Sequence, residues 1–308
     1  MANSPGSPAN KANRAAKIGP RQPALQRASP AFRPSSPMVG IKLMLQLIAR
    51  SFRQPRFAVL GDMAKSPAAA KPDISIVVPV FNEQGAAPNL AREIATAFSG
   101  RRFELIFVDD CSRDQTRQVL GALRGDIPQL RILAHSANSG QSRSLRTGII
   151  AARGEVIVTL DGDGQNDPAD GPKLVDALLA GPADLALVGG ERVKRQDSQA
   201  KKLASRFGNG VRKRLLRDSA NDTGCGLKAF RREAFLRLPY FDHIHRYLPA
   251  LMLREGYQVA FAPVNHRHRQ TGQSKYTNLG RLWASFSDLL GVMWLQSRAR
   301  QPGLVDEL

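Results

Sequence analysis

Val156-Ile-Val-Thr-Leu-Asp-Gly-Asp-Gly-Gln-Asn-Asp-Pro168 is the stretch on which the reading of this chain turns. Its first five residues, Val156–Leu160, are apolar or β-branched and predict a buried strand. The strand stops in two carboxylates one residue apart, Asp161 and Asp163, on a turn that glycine permits. Working back from it, Ile74–Phe81 predicts another buried strand, closed by Asn82 and Glu83. Phe103–Val108 predicts a second, closed by Asp109 and Asp110, and Leu130–Ala134 a third. Between them, helical spacing runs through Asn89–Phe98, Gln115–Leu123 and Ser142–Ala152. Strands alternating with helices at this pitch predict an α/β fold, with a parallel sheet covered on both faces.

In such sheets ligands bind beyond the carboxyl ends of the strands. Three of the four strands end in polar or acidic residues: Asn82-Glu83, Asp109-Asp110 and Asp161–Asp163. Asp and Asn are common turn and cap residues, so one such end means little. Three aligned ends point to a shared site. Paired carboxylates on a tight turn suit Mg²⁺ or Mn²⁺, whose shell substrate phosphates complete. Such an ion would neutralise a diphosphate leaving group as its charge develops.

Charge is distributed unevenly. The 308 residues carry 45 Lys or Arg against 26 Asp or Glu, a net +19, of which +11 falls in residues 1–72. Residues 1–37 are rich in Ala, Pro, Ser, Asn and Arg and too poor in apolar residues to offset ordering entropy, which predicts disorder. Met38–Ala49 is a short apolar run flanked by Arg50, Arg53 and Arg56. At twelve residues it falls below the roughly 20 that span a bilayer, and it predicts a basic surface helix. The alternative is an extension ahead of an internal start at Met63. Later, Arg192, Lys194, Arg195, Lys201, Lys202, Arg206, Arg212, Lys213 and Arg214 follow the acids, and His266-Arg-His-Arg269 and Lys275 come after the apolar stretch Val259–Val264. An acidic site followed by basic segments suits a phosphate-rich pair of substrates.

Several classes are excluded. Cys111 and Cys225 are too few for a disulfide scaffold or a Cys-based zinc site, and read as reduced thiols. No Gly-x-Gly-x-x-Gly follows the first strand and no Gly-x-x-x-x-Gly-Lys-Ser/Thr loop occurs, which argues against dinucleotide and P-loop folds. Few aromatics interleave with the basic residues, and no recognition-helix or zinc-finger pattern appears, so no specific nucleic-acid partner is expected. A non-enzymatic polyanion-binding protein is the remaining non-catalytic alternative.

Val-Val-Pro-Val-Phe-Asn-Glu (77–83), Phe-Val-Asp-Asp-Cys-Ser-Arg-Asp (107–114) and Leu-Asp-Gly-Asp-Gly-Gln-Asn-Asp-Pro (160–168) resemble the motif series of family 2 glycosyltransferases. Gln165–Pro168, Asp222-Thr-Gly-Cys-Gly-Leu-Lys-Ala-Phe-Arg231 and Arg269-Gln-Thr-Gly-Gln-Ser-Lys-Tyr276 narrow the resemblance to the dolichyl- or polyprenyl-phosphate branch, dolichol-phosphate mannosyltransferase-like, over about residues 73–298. The resemblance implies a GT-A fold with a mostly parallel sheet flanked by helices. It also implies a UDP- or GDP-linked nucleotide-sugar donor, an inverting transfer and a polyprenyl phosphate acceptor. Pro79, Phe81, Glu83 and Asp110 would line the nucleoside pocket, Phe81 standing where the family often has tyrosine. Asp161 would orient the sugar or ribose, and Asp163 with Gln165 would hold Mg²⁺ or Mn²⁺. Arg192 and Arg206 stand where the branch binds the acceptor phosphate, and Arg269, Ser274 and Lys275 would clamp a phosphate from a late loop.

A lipid phosphate is already anionic at neutral pH, so positioning and charge stabilisation outweigh a strong base. No histidine is therefore assigned a catalytic role, and His243, His245, His266 and His268 read as surface or structural residues. Many members of the branch continue into transmembrane helices. Here Leu282–Ser297 is 16 residues interrupted by Asp288, too short to span. Leu282, Trp283, Phe286, Leu289, Leu290, Met293 and Trp294 recur at helical spacing, which fits either core packing or a helix lying on a membrane surface. The expected organisation is a basic extension over 1–72, a GT-A domain over 73–280 and an amphipathic helix and tail over 281–308. The expected location is cytoplasmic, peripheral on the inner face of the cell membrane, with room for a membrane-protein partner. A soluble enzyme acting on a small or polysaccharide acceptor is the alternative.

Overall fold

The computed structural model describes residues 71–193, 210, 212–218, 220–267 and 278–300, with backbone only for 278–285. The extension before Lys71, together with Arg206, Arg269, Ser274, Lys275, His268 and the side chain of Trp283, lies outside the described residues. The elements run β1 (Ile74–Val80), α1 (Ala87–Ala97), β2 (Phe103–Asp109), α2 (Thr116–Ala122), β3 (Leu130–Ala134), α3 (Gln141–Ala151), β4 (Val156–Thr159), a 3₁₀ turn (Pro168–Asp170) and α4 (Gly171–Ala180). They continue with β5 (Leu185–Arg192), β6 (Lys228–Arg231), α5 (Arg232–Arg237), a 3₁₀ turn (Ile244–Arg246), α6 (Leu248–Arg254), β7 (Gln258–Val264) and α7 (Asn278–Ser297).

All the strands form one sheet of order β3-β2-β1-β4-β6-β5-β7. β1, β2, β3 and β4 are parallel, as their alternation with helices predicts, and β5 is parallel to β7. β6 alone runs antiparallel, to β4 on one side and β5 on the other. Because β6 is reversed, its first residue, Lys228, emerges at the same sheet edge as the last residues of β1, β2 and β4. Lys228 pairs with Thr159 of β4, two residues before Asp161.

β1 and β2 bury all seven of their residues, which explains their continuous apolar sequence. One face of the sheet packs Leu90, Ile94 and Phe98 of the α1 region and Leu174, Val175 and Leu178 of α4. The other packs Leu145 and Ile149 of α3, Phe235, Leu251, Met252 and Val292. Full burial of each such side chain contributes about 1.5–3 kcal/mol. α3 lies unusually close to the sheet. A Cβ on Gly148 would sit 2.4 Å from Val77 Cγ1, so only glycine fits there. α1 starts two residues before the periodicity indicates, because Pro88 suits a first turn, where no amide donor is needed. Asp288, which interrupts the apolar pattern of α7, accepts a 2.8 Å hydrogen bond from His243 Nδ1 and so ties the helix to the domain.

Candidate functional site

The ends of β1, β2 and β4 open into one cavity of about 530 Å³. Pro79, Phe81, Glu83, Asp110, Asp161 and Asp163 all line it, so the three polar strand ends converge as the sequence predicts. α3 contributes Gln141 and Ser144, β6 contributes Lys228, and the 3₁₀ turn before α6 contributes His245 and Arg246.

The first two strand ends are fastened to each other. The Asn82 amide donates to Ser112 Oγ at 2.9 Å, the Glu83 amide donates to Thr116 Oγ1 at 2.8 Å, and Asn82 Oδ1 accepts from the Arg113 amide at 2.7 Å. Asn82 and Cys111 both adopt left-handed backbone, with φ of 55° and 64°. Such a conformation is unusual outside glycine, and here it is set by the crossing of the two loops. Asp109 is buried and receives both Nε and Nη2 of Arg117, at 3.1 and 2.7 Å. Asp110 accepts from the amides of Ser139 and Gly140 at 2.9 and 2.8 Å and pairs with His135 Nδ1 at 2.7 Å. Its carboxylate thus holds the loop that begins α3, while the residue forms part of the cavity wall.

At the end of β4 the Asp161 amide donates to Asn166 Oδ1 at 3.0 Å, and Gln141 Nε2 donates to Asp161 Oδ1 at 2.7 Å. Burial, with the nearby Asp163 carboxylate second, pushes the Asp161 pKa up to about 6. Asp163 Oδ1 caps the turn by accepting from the Gln165 amide at 3.1 Å. The loop is stapled from outside by Arg267, whose amide donates to Gln165 O at 2.9 Å and whose Nη2 reaches Asp167 Oδ1 at 2.8 Å. Its other Nη pairs with Glu93 of α1. Gly226 lies directly under Asp161. A Cβ there would be 2.3 Å from Asp161 Oδ2.

Lys228 is buried beside these acids and donates to Cys225 O. Desolvation lowers its pKa, while the Cys225 thiol, Asp161 and Asp222 raise it in part. Burial pushes the Cys225 thiol up, and both cysteines are free. Arg192 is not among the cavity-lining residues. It grips Asp222 with Nε and Nη2 at 2.5 and 2.7 Å, both side chains largely buried.

Sequence reasoning missed Gln141, Lys228, His245 and Arg246 as cavity residues. Lys228 falls within a motif quoted for the family resemblance, but only the reversal of β6 shows where it emerges. Nothing in the local pattern distinguishes His245-Arg246 from a surface turn.

A divalent ion suits this donor set. Two carboxylates stand one residue apart on a desolvated floor, and the raised Asp161 pKa records first that burial and then the Asp163 charge, with Lys228 and Arg192 opposing both. Of the residues expected to hold that ion, Asp163 lines the cavity beside Asp161, whereas Gln165 is not among the lining residues.

Comparison with known proteins identifies relatives of the same type. The description "Glycosyl transferase family 2" matches residues 75–238. A dodecaprenyl-phosphate galacturonate synthase of Rhizobium johnstonii is 34% identical over 239 residues, covering 75% of this chain and 69% of that protein. An undecaprenyl-phosphate 4-deoxy-4-formamido-L-arabinose transferase of Edwardsiella ictaluri is 34% identical over 207 residues, covering 66% of this chain and 62% of that protein. Glucosyl-3-phosphoglycerate synthase of Mycobacterium tuberculosis, crystallised with Mn²⁺, UDP-glucose and phosphoglyceric acid, shares the fold. Its TM-score is 0.55 at 20% identity, covering 75% of this chain and 82% of that one. With the motifs in order around one cavity, the mostly parallel sheet of a GT-A fold beneath them and relatives at 34% identity, the chain belongs to glycosyl transferase family 2 and is a glycosyltransferase.

Proposed function

We propose that the protein transfers a sugar from a nucleoside diphosphate sugar to a polyprenyl phosphate, with inversion at the anomeric carbon. The observation that carries this reading is the convergence of Glu83, Asp110, Asp161 and Asp163 on one cavity in a chain whose relatives are polyprenyl-phosphate sugar transferases. Pro79, Phe81 and Glu83 line the nucleoside end, with Asp110 shaping its wall. Asp161 orients the sugar, held by Gln141 and pressed against Gly226. Bound through Asp163 and Gln165, Mg²⁺ or Mn²⁺ would offset the charge that develops on the departing diphosphate. Lys228 supplies a fixed positive charge beside Asp161, in a desolvated setting where it acts strongly.

The acceptor phosphate needs cations, and Arg206, Arg269, Ser274 and Lys275 are the candidates supplied by the family resemblance. Arg192 acts on that phosphate only by sharing its guanidinium with Asp222. The lipid tail requires an apolar surface. On α7, Phe286, Leu290 and Trp294 recur every four residues and are 54%, 50% and 59% exposed, while Val292 is buried. Such a stripe suits a helix lying on a bilayer. No helix among the described residues is long and apolar enough to cross a membrane. We place the enzyme at the cytoplasmic face of the membrane, with the basic residues of 1–72 drawn to anionic lipid at about 1 kcal/mol per charge close to the surface.

The test is transfer from UDP- and GDP-linked sugars to undecaprenyl phosphate with Mn²⁺ or Mg²⁺, comparing the parent chain with Asp163→Ala. The variant should stay folded and lose at least about a hundredfold in turnover, the scale seen when one preorganised charge-stabilising group is removed. Normal turnover in a folded Asp163→Ala protein would end this assignment.

A further inference from the structure

Asp110 lines the nucleoside end of the cavity, and its carboxylate accepts three hydrogen bonds from the described residues. Oδ1 takes two of them, from His135 Nδ1 at 2.7 Å and from the Ser139 amide at 2.9 Å. Oδ2 takes one, from the Gly140 amide at 2.8 Å. An ionised carboxylate offers about four acceptor positions, shared between its two oxygens. Oδ1 is therefore full, and Oδ2 keeps one position open.

Two of the three donors are backbone amides of the loop that begins α3, and the fold fixes them. The third is a side chain, and it is held from behind. His135 follows β3, and its amide donates to Asp109 O at 2.9 Å, which sets it beside the end of β2. Its Nε2 lies 3.0 Å from Thr147 Oγ1 on α3. The carboxylate only accepts, so Nδ1 carries a hydrogen, and the Thr147 hydroxyl completes the line at Nε2. The His135 side chain is 14% exposed and that of Asp110 6%, so water competes little for the bond between them. Thr147, His135 and Asp110 thus form one braced line from α3 to the cavity wall.

A nucleobase meets such a wall with its hydrogen-bonding edge. Uracil presents one N–H between two carbonyls and needs one acceptor. Guanine presents an N–H and an amino group side by side, which together grip a carboxylate through both of its oxygens. Cytosine has a ring acceptor where uracil has its N–H, and would set a lone pair against the carboxylate. With Oδ1 full, the wall favours the first of these over the other two, and the preference is a difference of affinities.

We propose that His135 is a positioning residue that selects a uridine donor. By filling Asp110 Oδ1 and fixing the plane of the carboxylate, it leaves one acceptor, the number that a uracil imide requires. This inference rests on the donor reading above and adds to it the base and the residue that chooses it.

The test is calorimetric binding of UDP, CDP and GDP to the full chain with Mn²⁺. The parent protein should bind UDP about tenfold or more tightly than either of the others, the worth of one hydrogen bond to a charged group. His135→Leu frees Oδ1 and lets the carboxylate turn, so that margin should shrink to about threefold or less. His135→Asn carries an amide N–H in the place of Nδ1 and should restore most of the margin. Thr147→Val removes only the far brace and should fall between the two. Thermal midpoints report the folding of each variant. A parent protein that binds CDP or GDP as tightly as UDP overturns the proposal. So does a folded His135→Leu protein that keeps the parental margin, or one in which all three affinities fall alike, as a merely structural role would give. Where His135→Leu fails to fold, a parental margin in Thr147→Val overturns it equally. If none of the three nucleotides binds, the donor reading itself falls, and this selection with it.

Discussion

Replacing Gly226 by alanine adds a single methyl group beneath Asp161. Its backbone is not left-handed, so the substitution introduces no conformational strain of its own. The new Cβ would stand 2.3 Å from Asp161 Oδ2, 2.4 Å from Cγ and 2.6 Å from Oδ1. Ordinary contact needs about 3.5 Å, so the carboxylate must retreat by about 1 Å or swing to another rotamer. The backbone is restrained instead, because Gly226 O accepts from Thr159 Oγ1 at 2.8 Å and β6, which begins two residues later, is hydrogen-bonded on both sides. Only the short side chain moves, and the Gln141 hydrogen bond to it is lost or redirected. Folding should therefore survive. Misplacement of a reacting-centre group by 1 Å costs on the order of 10²-fold in rate. Sugar transfer by Gly226→Ala, measured as lipid-linked product at saturating donor, should fall by about that factor. The thermal midpoint should stay within a few degrees of the parent. A variant of near-parental activity would mean that the position of Asp161 does not govern turnover.

Stability should depend on pH through His245. Its native pKa lies well below the ordinary 6.5, so as pH falls below 6.5 the unfolded chain takes up a proton that the native state excludes. Between pH 7 and 5.5 the parent should lose more unfolding free energy, measured by urea denaturation, than His245→Asn, and equal losses in the two proteins would contradict the burial argument. Leu290→Ser with Trp294→Ser should reduce flotation on phosphatidylglycerol vesicles several-fold without lowering the thermal midpoint, because both side chains are about half exposed. Equal flotation would remove α7 from the membrane-facing surface.

The parallel half of the sheet was legible because β1, β2 and β4 are buried on both faces, which forces continuous apolar runs, and each run ends in polar residues. The cavity acids were legible for the same reason, since strand ends are where the apolar constraint lifts. β6 was not. Its four residues, Lys228–Arg231, carry a cation at one end and an arginine at the other, and nothing local encodes direction. Cavity residues on helices and turns were hidden too. Gln141 and His245 owe their places to long-range contacts with Asp161 and Ser142, which no spacing rule reports. Asp110 lines the cavity, and its carboxylate also holds Ser139, Gly140 and His135, long-range contacts that the strand-end pattern does not report.

The reversal of β6 makes the length of the segment before it a hidden constraint on chemistry. In a strand, successive side chains face opposite sides of the sheet. Lys228 and Phe230 share the side that lines the cavity, while Ala229 belongs to the core beneath the other face. Deleting or inserting one residue between Asp222 and Lys228 would slip the register by one. Ala229 and Arg231 would then exchange sides with Lys228 and Phe230. The cavity would lose its ammonium, and a guanidinium would be driven towards apolar packing. The spacing from Asp222 to Lys228 therefore acts as a ruler, and loop-length variation here should be far less tolerated than substitution.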